Sequence, residues 1–341
     1  AGGLRPPRGG TTIASAMDFA PRDGLSSPRF SQVATFMRLP HVRDLASGLE
    51  VAIAGVPYDG STSFRPGARL GPRAIRNESA LARPFNPALK VRPFDVLKVA
   101  DYGDIDIAPN SIERTYQLIQ AEVRRLVEAG VFPLLVGGDH SITLAHLREI
   151  ARRHGPLAVL HLDSHLDTWD EYFGSKYFHG TPFRRGVEEG VIDPKHFVQL
   201  GIRGSIYDER DLDFQRQHGI EVIRIEEVEA LGVGGCLERL GRLKGRPLFV
   251  SFDIDVVDPA YAPGTGTPEV GGLTSRQALA LVRGLVGFDL VGFDLVEVSP
   301  LYDGPGQVTA LLAANLLYET LGVLALNKEA GLARWARKGA R

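Results

Sequence analysis

Short apolar segments alternate along the chain with longer segments whose apolar residues recur every three or four positions. The short segments are typical of buried strands and the longer ones of amphipathic helices. The pattern predicts strands at 50–57, 131–138, 157–163, 196–204, 221–225, 247–255 and 289–299. It predicts helices at 111–129, 141–154, about 227–242, from Thr274 onwards and near 307–325. Because fully apolar strands that alternate with helices form parallel sheets covered on both faces, we expect a three-layer α/β/α fold with a mostly parallel central sheet.

The alternation indicates a single domain over residues 28–326, without an internal repeat. Residues 1–27 are rich in Gly, Pro, Ser and Arg and lack apolar periodicity, so we expect a flexible leader, with a cleaved targeting peptide as the alternative. Residues 327–341 are basic around Trp335. They are predicted to form a solvated tail or the end of a helix docked by that indole.

Composition excludes several classes of protein. The 341 residues carry a formal net charge of -2, which argues against a general nucleic-acid binder. Cys236 is the single cysteine, so an intrachain disulfide, a zinc ribbon and an iron–sulfur cluster are excluded. No uncharged apolar run approaches the roughly 20 residues that cross a bilayer. We therefore expect a cytoplasmic enzyme with neither nucleic acid nor membrane as a partner.

Polar side chains follow three of the predicted strands. GGDHS (137–141) closes one strand, HLDSHLD (161–167) the next and SFDIDVVDP (251–259) a later one. Because ligands bind at the carboxyl ends of parallel strands, we expect these segments to meet. Alternate residues of an extended chain point to the same side, so the D-x-H-x-D and D-x-D spacings would present their side chains together. The candidate metal ligands are His140, Asp163, His165, Asp167, Asp253 and Asp255.

Each segment alone also has a purely structural explanation. GGDHS is compatible with a tight turn before a capped helix, and D-x-D with a turn or a surface pair. Together they favour a metal site, because converging carboxylates repel one another unless cations lie between them. An oxygen-rich donor set without thiolates favours Mn(II), with Ni(II) and Co(II) as alternatives. Such ions activate water near neutral pH.

These segments resemble the ureohydrolase superfamily, which includes arginase, agmatinase and guanidino-acid amidinohydrolases, and its agmatinase branch in particular. The resemblance spans residues 50 to about 325 and is carried by GSTSFRPGARLGPRAIR (60–76), GGDHS, LDSHLDTWD, FHGTPFRR, SFDIDVVDPAYAPGTGTPE and GFDLVEVSP. It implies an arginase-like fold, two Mn(II) ions per chain, and hydrolysis of a guanidino group to urea and an amine. It also implies a homo-oligomer, either a trimer or a hexamer.

The resemblance further implies which residues hold each metal ion. One ion would be bound by His140, Asp163, Asp167 and Asp253, and the other by Asp163, His165, Asp253 and Asp255. Asp163 and Asp253 would therefore bridge the two ions. The sequence departs from the commoner family pattern at Ser164, where Ala is usual. We expect this small side chain to face away from the metals.

Other residues complete the site that the resemblance implies. His179, in FHGTPFRR, matches a histidine at the site entrance that passes a proton to the leaving amine. Glu297, in VEVSP, matches a carboxylate that binds the guanidinium through paired N–H donors. Asp167 would also accept a hydrogen bond from the attacking water. Asp170 falls in the loop after the metal ligands, where we expect substrate selectivity to be set.

The identity of the guanidino substrate is less defined than the reaction. The loop at 168–178 carries Asp170 and Glu171 but also Lys176, so its charge does not choose between a cationic and an anionic substrate. We expect agmatine, with guanidinobutyrate, guanidinopropionate or a proclavaminate-type precursor as alternatives. Formiminoglutamate hydrolysis, or a silent metal-binding subunit that partners an active copy, is a more remote alternative.

Overall fold

A computed structural model describes residues 17–336, and its centre is an eight-stranded parallel sheet. The strands are β1 (Val51–Val56), β2 (Val99–Asp104), β3 (Phe132–Gly137), β4 (Leu157–Leu162), β5 (Ile192–Ile202), β6 (Glu221–Arg224), β7 (Leu248–Asp253) and β8 (Leu290–Val296). They are arranged in the order β2-β1-β3-β8-β7-β4-β5-β6, and each neighbouring pair is parallel. The expected parallel sheet is confirmed.

Helices cover both faces of this sheet. The helices in the described part of the chain are α1 (Gly71–Glu78), α2 (Pro93–Val96), α3 (Ile112–Glu128), α4 (Thr143–His154), α5 (Pro182–Glu188), α6 (Asp213–His218), α7 (Ile225–Leu240), α8 (Ser275–Arg283) and α9 (Val308–Glu329). Alternate residues of a strand point to opposite faces. Val51 and Ile53 thus join the core under α1, α7, α8 and α9. Ala52 and Ala54 join the core under α3, α4, α5 and α6. This confirms the three-layer architecture.

All seven predicted strands are present, and one strand was missed. The unpredicted strand is β2 at the sheet edge, whose sequence VADYGD mixes polar and apolar residues and buries Asp101 in an ion pair with Arg76. The predicted start of α8 is confirmed by a capping box, in which Thr274 and Gln277 each accept the other's backbone N–H. The short helices α1, α2, α5 and α6 gave no periodic signal, since they span only four to eight residues.

The last helix is a core helix. By length and composition α9 is apolar enough to span a membrane, but 83% of its most apolar stretch is buried inside the protein. A helix that is apolar on all sides is typical of a protein core. Beyond it, Trp335 packs against Phe132 with 5.4 Å between ring centroids.

Parts of the predicted leader and tail lie outside the described residues. These parts are residues 1–16 and 337–341. Within the described part of the leader, Phe19 is buried and the N–H of Arg22 donates to the carbonyl of Arg38 at 3.0 Å. Residues 17–27 therefore contact the folded domain.

Candidate metal and substrate site

Four adjacent central strands carry the predicted site residues to one edge of the sheet. Asp253 ends β7, His140 and Glu297 follow β3 and β8, and the segment 163–167 follows β4. These strands are neighbours in the order β3-β8-β7-β4. Because all of them are parallel, their carboxyl ends meet at one edge.

His140 directs its Nδ1 toward three carboxylates. Nδ1 lies 3.2, 3.0 and 3.1 Å from one oxygen each of Asp163, Asp167 and Asp253. The imidazole is fully buried, yet these contacts lack hydrogen-bond geometry and Nδ1 has no hydrogen-bond partner among residues 17–336. An imidazole nitrogen that shares a buried space with three carboxylate oxygens fits the donor set of a divalent metal ion.

His165 forms a second, more accessible half of the cluster. Its Nδ1 lies 3.1 Å from Oδ2 of Asp255 and 3.5 Å from Oδ1 of Asp163. The other oxygen of Asp163, Oδ2, is the one that faces His140. Asp163 therefore presents one oxygen to each half, as a bridging carboxylate would. The structure thus brings all six predicted ligands into one cluster.

Turns, rather than extended strands, place several of these carboxylates. The expectation that an extended backbone sets the D-x-D spacing is wrong, because β7 ends at Asp253 and Asp255 lies in a 3-10 turn. In that turn the Asp253 carboxylate accepts the N–H of Asp255 at 2.8 Å. The aspartates therefore brace each other as well as facing the histidines.

Two predicted site residues have left-handed backbone conformations. Asp167 has a φ of 51° and Glu297 a φ of 64°. Non-glycine residues in this region carry strain of about 1–3 kcal/mol, and such residues cluster at functional sites. The fold maintains both conformations at the candidate site.

Burial and neighbouring charges shift the titration of the cluster. Burial raises the pKa of Asp253, and the nearby carboxylates of Asp255 and Asp163 raise it further. Burial alone would lower the pKa of His140 and of His165. Their carboxylate neighbours outweigh burial and raise both pKa values well above the usual imidazole value. The carboxylates therefore favour the protonated imidazoles, whose positive charge partly offsets the acidic charge of the cluster.

A buried polar chain holds His140 from behind. Nε2 of His140 lies 2.8 Å from Oγ of Ser251, which donates to Oδ1 of Asp294 at 2.6 Å. Thr143 donates to the other oxygen of Asp294 at 3.0 Å. Because the Ser251 proton goes to Asp294, Nε2–H of His140 donates to Ser251 and leaves Nδ1 free to face a metal ion. The sequence interpretation did not include these partners.

His161 is a further member of the cluster that sequence reasoning missed. Its Nε2 lies 2.6 Å from Oδ2 of Asp163, and its Nδ1 lies 3.0 Å from the side-chain nitrogen of Gln199. It is close enough to His140, Asp163 and Asp167 for the four side chains to hold one ion. The available signal was its position in HLDSHLD, two residues before Asp163.

Glu297 and His179 lie beside the His140 half. Oε1 of Glu297 accepts the N–H of His140 at 2.9 Å and lies 3.1 Å from Nδ1 of His179. Burial would lower the pKa of His179, but the hydrogen bond to Glu297 raises it. Oε2 of Glu297 is buried and has no hydrogen-bond partner in the described part of the chain. An unpartnered carboxylate oxygen at this depth is an acceptor for a cationic N–H donor.

A cavity of about 270 Å³ connects the cluster to the surface. Its lining includes the polar side chains His165, Asp167, His179 and Asp253 and, toward the surface, Trp169, Tyr172, Tyr207 and Glu269. Among the described residues that line it there is no lysine or arginine. The cavity thus carries acidic and aromatic groups.

Asp170 does not line this cavity. Its carboxylate accepts a hydrogen bond from Arg185 at 2.7 Å, and this contact lowers the pKa of Asp170. The position of Asp170 therefore does not support the predicted role in substrate binding, because Arg185 already engages its carboxylate.

Comparison with known proteins places the chain in a family. The arginase family pattern matches residues 49–322. The chain is 50% identical over 307 residues to guanidinopropionase of Pseudomonas aeruginosa, covering 89% of this chain and 96% of that protein. It is 46% identical to the mitochondrial agmatinase of Gallus gallus, with 86% of each chain covered. The solved structure of proclavaminate amidinohydrolase from Streptomyces clavuligerus matches with a TM-score of 0.83 and 47% identity, covering 88% of this chain and 99% of that one. The chain belongs to the arginase family.

Proposed function

We propose that this protein hydrolyses the terminal guanidino group of a small substrate to urea and an amine, using two divalent metal ions. The observation that carries the proposal is the convergence of the six predicted ligands beside the unpartnered Oε2 of Glu297. Membership of the arginase family supports the same reaction class. We infer Mn(II) as the metal, with Ni(II) and Co(II) as alternatives, because the donors are imidazole nitrogens and carboxylate oxygens. Such ions supply, when bound, Lewis acidity and an activated water.

The chain's own residues would bind the substrate and move the protons. Oε1 of Glu297 is engaged by His140 and His179, so Oε2 is the atom left to accept the guanidinium N–H groups. Asp167 lines the cavity and would accept a hydrogen bond from the attacking water. As the C–N bond breaks, the leaving amine nitrogen needs a proton, which His179 would supply.

Agmatine is the first candidate substrate. Its distal ammonium would meet Glu269 and the rings of Trp169, Tyr172 and Tyr207, and both kinds of group attract cations. A guanidino acid is the second candidate, supported by the identity to guanidinopropionase and proclavaminate amidinohydrolase. Agmatine and 4-guanidinobutyrate have similar chain lengths and opposite distal charges. Urea release from this pair by the Mn(II)-loaded protein therefore reports the preferred distal charge directly.

Replacing the substrate anchor tests the proposed reaction geometry. In Glu297→Gln the acceptor loses its charge but keeps its shape. We therefore expect kcat/KM to fall by an amount that corresponds to a loss of about 2–5 kcal/mol of transition-state stabilisation. Metal content and the circular dichroism spectrum should stay unchanged. Glu226→Gln, an exposed change on α7, serves as the control. Wild-type kcat/KM in Glu297→Gln would contradict the placement of the guanidinium.

Two further expectations concern the oligomeric state and the cellular location of the protein. We propose a homo-oligomer, either a trimer or a hexamer, and a cytoplasmic location, although relatives from animals carry mitochondrial names. Light scattering of the purified protein would measure the oligomeric state. Full urea release by the homogeneous protein would exclude the silent-subunit alternative, and formamide in place of urea would indicate formiminoglutamate chemistry.

A further inference from the structure

The start of the segment 60–76, which contains none of the predicted site residues, packs against His179. The backbone N–H of Ser63 donates to Nε2 of His179 at 3.1 Å, and Oγ of Ser63 lies 2.8 Å from the same nitrogen. The backbone N–H of His179 donates to the carbonyl of Ser61 at 3.2 Å. This loop therefore contacts both the ring and the backbone of the predicted proton donor.

The loop itself is firmly anchored. The N–H of Ser61 donates to Oδ2 of Asp139 at 2.8 Å, and Asp139 directly precedes His140. The N–H of Gly67 donates to Oδ2 of Asp59 at 2.8 Å. Both accepting carboxylates are buried. The loop is thus fixed to the same turn that carries a predicted metal ligand.

The contacts of Ser63 determine which nitrogen of His179 carries the proton. A backbone N–H can only donate, so Nε2 must present its lone pair to Ser63. The proton of the neutral imidazole then lies on Nδ1, where it faces Oε1 of Glu297 at 3.1 Å. When the imidazole gains its second proton, Nε2 becomes a donor and loses the contact with the backbone N–H, whereas the Ser63 hydroxyl can then accept from Nε2–H. Only the hydroxyl can therefore contact Nε2 in both protonation states. Ser63 therefore suits a histidine that gains and loses a proton.

We propose that Ser63 is a positioning residue that orients the ring of His179 and sets its tautomer for proton transfer. The inference rests on the proposed function, in which His179 supplies a proton to the leaving amine. Because Ser63 acts through His179, its loss should slow turnover and leave substrate binding largely unchanged.

Side-chain variants test this role by steady-state urea release. Ser63→Ala keeps the backbone donor but removes the hydroxyl, and should lower kcat by about fivefold to tenfold with little change in KM. Ser63→Thr restores a hydroxyl and should restore most of kcat. The matched control is Thr62→Ala, because the adjacent Thr62 hydroxyl donates its hydrogen bond to the carbonyl of Asp59, at 3.3 Å, and not to His179. Unchanged kcat in Ser63→Ala would overturn the proposal.

A double-mutant cycle separates positioning from general loop damage. In a His179→Ala background the imidazole is absent, so adding Ser63→Ala should cause no further fall in kcat. An equal fall in both backgrounds would show that Ser63 acts independently of His179, and would overturn the proposal.

Nitrogen-15 NMR spectra of protein with labelled histidines can identify the tautomer of His179 without a turnover assay. The protein is loaded with Zn(II) for this measurement, because Zn(II) is diamagnetic. We expect the His179 signal, identified by its loss in His179→Ala, to show the Nδ1–H form. An Nε2–H form in a protein that releases urea would overturn the role of Ser63 and leave the proposed function standing. An Nδ1–H form in a protein that releases no urea would contradict the proposed function, while the contact by which Ser63 sets the tautomer of His179 would stand.

Discussion

The two halves of the histidine–carboxylate cluster are built from the same residue types but differ in enclosure. His140 has no exposed side-chain surface, and the Ser251–Asp294 pair holds it from behind. The side chain of His165 is 23% exposed and lines the cavity. The difference indicates that protein encloses His140 more fully than His165, although Asp167 and Asp253 beside His140 also line the cavity. We therefore expect the His140 half to bind its ion more tightly and exchange it more slowly.

The largest expected effect comes from a residue that the two halves share. Asp253 places Oδ2 at 3.1 Å from His140 and also lines the cavity, and the predicted ligand sets give it to both ions. Asp253→Ala should therefore lose both ions and lower turnover by roughly 10⁴-fold or more. Mass-spectrometric metal analysis and urea release are the measurements, with the exposed Asp95→Ala as control. Two retained ions with normal turnover would contradict a bridging role.

A smaller effect should distinguish the halves through a pair of serines. Ser251→Ala removes the partner of Nε2 of His140 and should weaken metal binding in that half by about 10–100-fold. The expectation that Ser164 faces away from the metals is wrong, because its buried hydroxyl donates to Asp255 at 2.7 Å and lies 3.2 Å from Nδ1 of His165, in the half whose histidine is more exposed. Ser164→Ala should weaken binding by no more than about fivefold. Equal losses of Mn(II) affinity in the two variants would contradict the proposed difference between the two halves.

The smallest expected effect is the pH dependence of metal binding. The raised pKa values of His140 and His165 favour the protonated imidazoles in the metal-free cluster. Metal binding must displace these protons, so affinity should rise with pH and protons should be released as the ions bind. Calorimetry in buffers of different ionisation enthalpy measures the release. Heats that do not depend on the buffer would contradict the assigned protonation.

The sequence predicted the sheet and the ligands for the same physical reason. The central strands are apolar along their length, so a histidine or aspartate at a strand end stands out, as at His140 and Asp163. The edge strand β2 was missed because Asp101 interrupts its apolar run, and the buried carboxylate is paired with Arg76 of α1, a contact that the strand's own sequence does not reveal. Strands and strand-end ligands can be predicted from the sequence where burial keeps the rest of the strand apolar.

Other residues of the site were not predicted, because they reach it through contacts between distant parts of the chain. Ser251 meets His140 across 111 residues, and Ser63 meets His179 across 116. Sequence patterns over a few neighbouring residues cannot predict contacts between residues so far apart. Asp170 was predicted from its proximity to the ligands in sequence, and in the fold its carboxylate accepts a hydrogen bond from Arg185.

A stepwise Mn(II) titration of the metal-free protein, with urea release and bound metal measured at each step, tests whether catalysis needs both ions. We predict that the first equivalent binds without full activity and that maximal urea release appears at two ions per chain. Full activity at one ion per chain, or no urea from any guanidino substrate at two, would contradict it.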